Sequence, residues 1–419
     1  MSHNWQEAAV RDIFVKVPVE ILFEEFSLPA AGYEEVQAGS VMRKTVIVRY
    51  GELALKSKRV RRRFEQRLCE NIELTLDGVD YKLKKLHGRI FIDTKAPREI
   101  EKRLVLVPGV VSVSSATKTE ATLEAVRSVA VREAKKLLSP GSSFAVLTRR
   151  IGKHPFSSQD INEEVGAAIL DAVPRSKVNL STPDYRIFIE IRGDDSYIFS
   201  EILGGIGGLP VGSQGKVVTL FSGGINSFLA TCLMLKRGCL VFPLFFDESS
   251  DGRLRGRVIS AAKEFLAFHP KLELRVLPFR GVRDVFGSGV SRGLFNVLCA
   301  RARLRAAQVI GEGLEVDAVV TGETAEQGSG ILHGFQVIEE ACELPVLRPL
   351  VGLDKRRIDQ IARRMEELGV SLPPKSLSRR RRHLKTDVNL KKVRELEHEF
   401  KIDVLVRSLL KEVEVVELR

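Results

Sequence analysis

A strand that runs directly into Ser-Gly-Gly and then into a helix limits this chain more than any other feature. Val217 to Phe221 is apolar and β-branched. Ser222-Gly223-Gly224-Ile225-Asn226-Ser227 follows at once, and Phe228, Leu229, Leu233 and Leu235 give the next segment apolar residues at helical spacing. Two glycines let the backbone turn tightly and present its N–H groups. Ser222 and Ser227 add hydroxyls, and a helix N-terminus adds partial positive charge, so the segment is built to cradle a pyrophosphate. It is not a Walker A loop, which needs Gly-Lys-Ser/Thr at its end. A bare glycine pair after a strand is also readable as an ordinary turn, so the surrounding sequence has to decide.

From Lys216 onward that surrounding sequence alternates. Apolar strands are expected at Val217–Phe221, Cys239–Phe246, Leu272–Leu277 and Val316–Thr321, separated by amphipathic helices. Such alternation implies an α/β doubly wound parallel sheet with ligands at the carboxyl ends of its strands. Upstream the pattern is α+β. Thr45–Tyr50 is a β-branched strand, and Phe64, Leu68, Ile72 and Leu76 recur every fourth residue in a helix otherwise rich in arginine. A strand at Arg89–Asp93 and a helix from Pro97 to Val107 come next. Beyond Val110 follow a strand, a helix (Thr122–Leu138), a strand (Ser143–Arg149), a helix (Ser158–Asp171) and strands at Arg186–Arg192 and Ser196–Leu203. Gly204-Gly205-Ile206-Gly207-Gly208-Leu209-Pro210 then separates the halves, as a linker or a close-packed hinge.

The 419 residues predict two or three domains. The first 39 residues carry seven acids against two bases and mark an acidic extension, while the chain as a whole is at +12 with a pI near 9.5. That excess suits a polyanionic partner such as nucleic acid, or simply a soluble, ion-pair-rich basic protein. Cys69, Cys232, Cys239, Cys299 and Cys342 form no CxxC pair, so neither a disulfide framework nor a zinc site is expected, and a reducing cytoplasm fits best. No apolar run approaches the roughly 20 residues of a membrane span, and no export signal is expected.

Several segments in order give a family resemblance: Val48-Arg49-Tyr50-Gly51-Glu52-Leu53, Arg150-Ile151-Gly152-Lys153-His154-Pro155-Phe156, Gly207 to Lys216 leading into Ser222–Ser227, Val320-Thr321-Gly322-Glu323, and Leu347-Arg348-Pro349-Leu350. From Val46 to about Arg357 the chain resembles the tRNA 4-thiouridine synthetase (tRNA sulfurtransferase) family, in its archaeal type without a rhodanese domain. The resemblance implies a ferredoxin-like domain at 41–97, a THUMP domain at 98–204, a Gly-rich linker at 205–215, and a pyrophosphatase-loop (PP-loop), adenine nucleotide alpha hydrolase-like domain at 216–370. Residues 1–40 remain as the acidic extension and 371–419 as a basic helical C-terminal segment.

In such enzymes the first two domains bind tRNA. The third uses ATP and Mg²⁺ to adenylate uracil O4 at position 8, and a sulfur donor then displaces AMP. The nucleotide contacts implied here are Leu220, Phe221, Ser222, Gly223, Gly224, Asn226, Ser227, Phe242, Pro243, Arg301, Gly322 and Gln327. The tRNA contacts implied are Lys56, Arg59 and Arg62 on the first helix, and Arg149, Arg150, Lys153, His154, Pro155 and Phe156 on the loop after a strand, where cations stand beside a stackable ring. Each cluster is also readable as a solvated basic face, with Phe156 in the core. The block Arg379-Arg380-Arg381-Arg382-His383 reads as an interaction tail.

The chain departs from the family at its chemistry. Asn226 stands where the loop has Asp, which removes a charge that Mg²⁺ favours, although an amide oxygen still coordinates. Asn296-Val297-Leu298-Cys299 keeps one member of the archaeal Cys-x-x-Cys pair, and the segment around Leu372-Pro373-Pro374-Lys375 has no cysteine, so an iron–sulfur cluster is not expected. Ala300 and Ile331 replace a lysine and a glutamine of bacterial relatives. Asn226 and Cys299 are the catalytic candidates, with Cys299 either a sulfur carrier activated by Arg301 and Arg303 or an ordinary core cysteine. Three readings follow: a thiolating enzyme taking sulfide or a partner's persulfide, a tRNA-binding paralogue without catalysis, or a small-molecule adenylating enzyme. The last leaves the basic N-terminal half unexplained. The resemblance suggests a homodimer and leaves a role in thiamine synthesis open.

Overall fold

The computed structural model describes residues 44–51, 57–86, 88–249, 252–286, 290–325, 331–374 and 389–418. The acidic extension, Lys56, Gln327 and the Arg379–His383 block lie outside the described residues.

The chain opens with β1 (Lys44–Arg49), α1 (Lys58–Thr75), β2 (Tyr81–Leu86), β3 (Arg89–Thr94) and α2 (Pro97–Leu104). There follow β4 (Ser112–Glu120), α3 (Leu123–Leu137), β5 (Ser143–Ile151), α4 (Ser158–Ala172), β6 (Lys177–Val178), β7 (Tyr185–Arg192), β8 (Asp195–Phe199) and β9 (Leu203–Gly204). These strands make one sheet in the order β2-β3-β1-β4-β8-β7-β5-β6, with β9 on β4. The strand β4 serves both halves of it. Residues 112–116 pair with β1 and residues 117–120 with β8, so the two α+β modules share a strand.

The predicted stripe on α1 is the buried one: Phe64, Leu68, Ile72 and Leu76 are all 2% exposed or less. Strand β2 was not expected from the sequence. Its Tyr-Lys-Leu-Lys-Lys-Leu is too polar to stand out, and it is an edge strand, where lysines discourage further pairing.

The second half contributes β10 (Lys216–Leu220), α5 (Ile225–Lys236), β11 (Leu240–Asp247), α6 (Arg253–Lys263), β12 (Glu273–Pro278), α7 (Arg280–Phe286), α8 (Arg292–Leu314), β13 (Ala318–Val320), α9 (Ile331–Glu339), β14 (Val346–Leu347), α10 (Lys355–Glu367), α11 (Leu390–Glu399), α12 (Ile402–Leu409) and β15 (Glu414–Glu417). The sheet order is β14-β13-β10-β11-β12-β15, parallel throughout except for the last strand. Both faces are buried. Val217, Val241 and Val320 face one core with α5 and α6, while Val218, Leu244 and Val319 face another with α8. This is the doubly wound arrangement.

Residues 389–418 are not an appendage. Val393, Leu396, Ile402, Val406 and Leu409 enter the second core, and β15 extends the sheet through Leu274↔Val416. Their charge hid an amphipathic pattern from the sequence reading.

The glycine-rich connection is the hinge of the two alternatives and not a loose linker. Ile206, Leu209 and Val211 are buried, and Ile206 N–H donates to the Val105 carbonyl at 2.7 Å. A β-carbon on Gly208 would lie 2.0 Å from the Lys236 carbonyl oxygen, which only glycine avoids.

Candidate nucleotide loop and nucleic-acid surface

Strand β10 ends at Leu220, and the chain turns at Gly223, whose φ is +74°, before Gly224 caps α5. The turn is fixed from within. Ser227 Oγ donates to the Gly224 carbonyl at 2.9 Å, accepts the Ser222 N–H at 3.2 Å and meets Ser222 Oγ at 3.1 Å. Below it, Thr231 Oγ1 donates to the Ser227 carbonyl at 2.8 Å, and Thr219 Oγ1 lies 3.1 Å away. Ser227 is thus a buried brace for the loop and not the open hydroxyl expected, whereas Ser222 is exposed.

Among the described residues the N–H groups of Gly223 before the helix, of its N-cap Gly224 and of Asn226 in its first turn make no hydrogen bond, and no side chain caps them. The Ile225 N–H is taken by the Pro374 carbonyl at 3.1 Å. The loop therefore offers backbone amides at a helix N-terminus with glycine instead of side chain around them, the arrangement that receives phosphate oxygens.

Gly322, at the end of β13, locks against this turn. A β-carbon there would sit 2.6 Å from the Ser227 nitrogen and 2.7 Å from the Asn226 carbonyl carbon. The following Glu323 accepts from Thr321 Oγ1 at 3.0 Å and from Arg348 Nε at 2.7 Å. Arg348 also reaches Glu339 and lies 3.9 Å above the Phe335 ring. The Thr-Gly-Glu and Arg-Pro-Leu segments thus meet in one half-buried polar knot beside the loop.

Two placements differ from expectation, and one open alternative narrows. Phe242 and Pro243 lie in the middle of β11, since Leu220 pairs with Leu244, so the β11 residues level with the loop are Phe246 and Asp247. Spacing within a long apolar strand gave no signal for where it ends. Arg301 is fully buried, and its guanidinium is taken up by protein groups. Its guanidinium donates to Glu397 at 2.7 and 2.8 Å, to Glu340 at 2.6 Å and to the Val337 carbonyl. Burial alone would lower its pKa, and the two carboxylates outweigh that and raise it. Cys299 is 2% exposed in the second core, and Arg303 beside it pairs with Glu248, which favours the core reading over the sulfur carrier.

On the other candidate surface, Arg59 and Arg62 are exposed on α1 and make no ion pair among the described residues. Arg149 and Arg150 end β5, followed by the exposed Gly152, Lys153 and Pro155. His154 Nε2 lies 2.8 Å from the Gly193 carbonyl and its ring stacks on Phe156 at 5.6 Å, while Phe156 packs against the core under α4. Ser157 then caps α4 in a reciprocal pair with Asp160. The His154 and Phe156 rings shape this loop; Arg149 and Lys153 are exposed, while Arg150 is half-buried with its Nε enclosed.

A doubly wound sheet with a glycine loop at its carboxyl ends, behind ferredoxin-like and THUMP α+β domains, defines a PP-loop protein of the adenine nucleotide alpha hydrolase-like class. The family model for the thiamine biosynthesis protein ThiI matches residues 212–402, that for the THUMP domain residues 120–201, and that for the ThiI ferredoxin-like domain residues 45–114. A probable tRNA sulfurtransferase of Methanosarcina acetivorans is 35% identical over 344 residues, 78% of this chain and 82% of that protein. One from Moorella thermoacetica is 34% identical over 339 residues, 80% and 86%. Among solved structures, a 4-thiouridine synthetase in complex with RNA and bound ATP superposes with a TM-score of 0.77 at 27% identity, covering 90% of this chain and 100% of that one. A Pyrococcus horikoshii protein gives 0.62 at 29% identity, covering 77% and 99%. This chain belongs to the tRNA 4-thiouridine synthetase (ThiI) family.

Proposed function

We propose that this protein thiolates a tRNA uridine, forming 4-thiouridine at position 8 in the cytoplasm. The uracil O4 attacks the α-phosphate of ATP and pyrophosphate leaves. A sulfur nucleophile then adds at C4, and AMP departs with the former O4. Sulfide gives the thiocarbonyl directly. A partner's persulfide first gives a C4–S–S–partner disulfide, which a second thiol of that partner cleaves, releasing the thiouridine and leaving the partner's two sulfurs as a disulfide. The observation that carries this reading is the glycine turn at Ser222–Asn226, whose Gly223, Gly224 and Asn226 amides have no hydrogen-bond partner among the described residues, at the carboxyl end of the sheet, on a chain that superposes on an RNA- and ATP-bound relative.

The Gly223, Gly224 and Asn226 amides would receive the phosphate oxygens, Gly322 and Ser227 would fix their direction, and Phe246 would flank the nucleotide. Mg²⁺, when bound, neutralises phosphate charge, and the oxygens the loop offers it are the Asn226 amide and the Ser222 hydroxyl. The tRNA would lie along Arg59, Arg62, Arg149, Arg150 and Lys153, with Pro155 on the same rim and the protein acting as a homodimer.

A second reading is a tRNA-binding paralogue that no longer catalyses. It is favoured by Asn226, by the burial of Cys299 and by the Pro374 carbonyl on the Ile225 amide. One experiment separates the two: mass spectrometry of nucleosides from tRNA incubated with the protein, ATP·Mg²⁺ and sulfide. Thiouridine is expected, and its absence at stoichiometric protein, with tRNA binding retained, would establish the paralogue instead. A salt-dependent shift of a tRNA transcript is expected under both.

A further inference from the structure

The helix that carries the nucleotide loop is held at both ends. At its start, Thr231 Oγ1 donates to the Ser227 carbonyl at 2.8 Å and meets Thr219 Oγ1 of β10 at 3.1 Å. At its end, about 18 Å away for a helix of 12 residues, the Leu209 N–H donates to the Lys236 carbonyl at 2.9 Å. Gly208 passes so close under that carbonyl that no β-carbon fits. Just past the helix, a β-carbon on Gly238 would stand 2.6 Å from Ser213 Oγ and 2.9 Å from the Pro210 carbonyl oxygen. The segment that joins the two halves of the chain therefore grips the far end of α5.

The same segment is bonded to α1. Asn71 is 3% exposed, and its Nδ2 donates to the Val211 carbonyl at 3.2 Å across 140 residues of chain. Leu68 and Pro210 flank Gly109, where a β-carbon would stand 3.1 Å from Leu68 Cδ1 and 3.2 Å from Pro210 Cγ. Leu68, Ile72, Leu209, Val211, Phe228 and Leu235 belong to one continuous core, and close packing leaves little slack between its members. An amide among Phe64, Leu68 and Ile72 is costly to bury unless it is bonded. Asn71 spends that cost on a specific link between α1 and the joining segment, where an apolar side chain would have served packing alone. The exposed side of the same helix carries Arg59 and Arg62.

We propose that Asn71 is a positioning residue for the reaction: through Val211 and Leu209 it joins α1 to α5, so that tRNA seated on α1 orders the nucleotide loop at the other end of α5. The inference rests on the tRNA-binding reading above and adds the route by which tRNA and nucleotide favour one another. Two rigid helices joined by buried hydrogen bonds form a contiguous network of the kind that carries coupling between sites. Coupling of this kind is reciprocal, since whatever tRNA adds to nucleotide affinity the nucleotide must add to tRNA affinity.

The test measures binding of Mg²⁺·α,β-methylene-ATP, which cannot release pyrophosphate, to the full-length protein with and without a saturating tRNA transcript, and the converse. In the wild type each ligand should tighten the other by the same factor, about fivefold or more. Asn71→Leu keeps the branched shape and loses the donor. It should bind each ligand alone within about twofold of wild type while the coupling factor falls toward one. A merely structural hydrogen bond predicts a lower melting temperature with the factor unchanged, and that result overturns the proposal. Should Asn71→Leu fail to fold, hydrogen exchange in the wild type carries the test. Adding tRNA should slow exchange at residues 209–213 and in the last turn of α5, and unchanged exchange there with α1 protected overturns the proposal. A wild type that binds both ligands with no coupling overturns it too and leaves tRNA binding standing. No tRNA binding by the wild type overturns both.

Discussion

Arg301 and Glu397 are joined by two hydrogen bonds, of 2.7 and 2.8 Å, across 96 residues of chain, and Arg301 is completely buried. The bond ties α8 to α11, and through it the C-terminal helices to the parallel sheet. Removing one partner of such a pair leaves a buried charge short of its counter-ion, which costs about 3 kcal/mol or more. Glu397→Ala should lower the urea-unfolding free energy by that amount. Nucleotide affinity at a temperature where the variant is folded should stay within about twofold of wild type, because the guanidinium does not reach the loop. A large selective loss of affinity would return Arg301 to the nucleotide.

Gly322 gives a more local prediction. Its missing β-carbon would stand 2.6 Å from the Ser227 nitrogen, against backbone that cannot rotate away. Gly322→Ala should push the turn outward at a cost of about 1–3 kcal/mol and misdirect the amides. ATP binding by calorimetry should fall at least tenfold while the circular dichroism spectrum stays native. Unaltered ATP affinity would show that the turn tolerates the shift.

The loop and its fold were legible because glycine placement is a backbone property: Gly223 needs its positive φ and Gly322 its bare α-carbon, and both are visible in one sequence. The positions of Phe242, Pro243 and Arg301 were not, for two different reasons. An apolar strand such as Leu240–Asp247 carries no internal mark of which residues stand level with a neighbouring loop, since that is a matter of register. The partners of Arg301 lie at the end of α9, just past it, and on α11, and nothing near position 301 announces them. The bond from Asn71 to Val211 was hidden likewise, because it joins residues 140 apart that meet only in the folded chain.

His269 makes stability depend on acid. The imidazole is 8% exposed and its Nδ1 lies 3.4 Å from the Lys271 N–H. Burial first, then the charges of Lys271 and Arg67, bring its pKa from 6.5 to about 4. The unfolded chain takes up this proton near pH 6.5 and the folded chain only near 4. Stability from the neutral ring is thus complete above about pH 6.5 and is lost as pH falls toward 4, by up to roughly 3 kcal/mol. Urea unfolding at pH 7.0 and 4.5 should show a larger loss for wild type than for His269→Gln. Equal losses would mean that the folded protein already accommodates the charged ring.

Asn226 is where function is most exposed to a single atom. It occupies the first turn of α5, its own N–H is one of the three unbonded amides, and its side chain is an amide where the family loop carries a carboxylate. A carboxylate there would add an anionic oxygen for Mg²⁺ while adding negative charge near the phosphates, and the metal bound between them makes the first effect dominate. Asn226→Asp should therefore tighten Mg²⁺·ATP on the order of tenfold, leave metal-free ATP unchanged or weaker, and raise tRNA-stimulated ATP–pyrophosphate exchange. Titration of exchange against Mg²⁺ at fixed ATP checks this, because the variant should reach half-maximal rate at lower metal. If the variant instead binds ATP more weakly with and without Mg²⁺, the loop holds the phosphates through its amides alone, and Asn226 is an adaptation to nucleotide binding without a metal at that position.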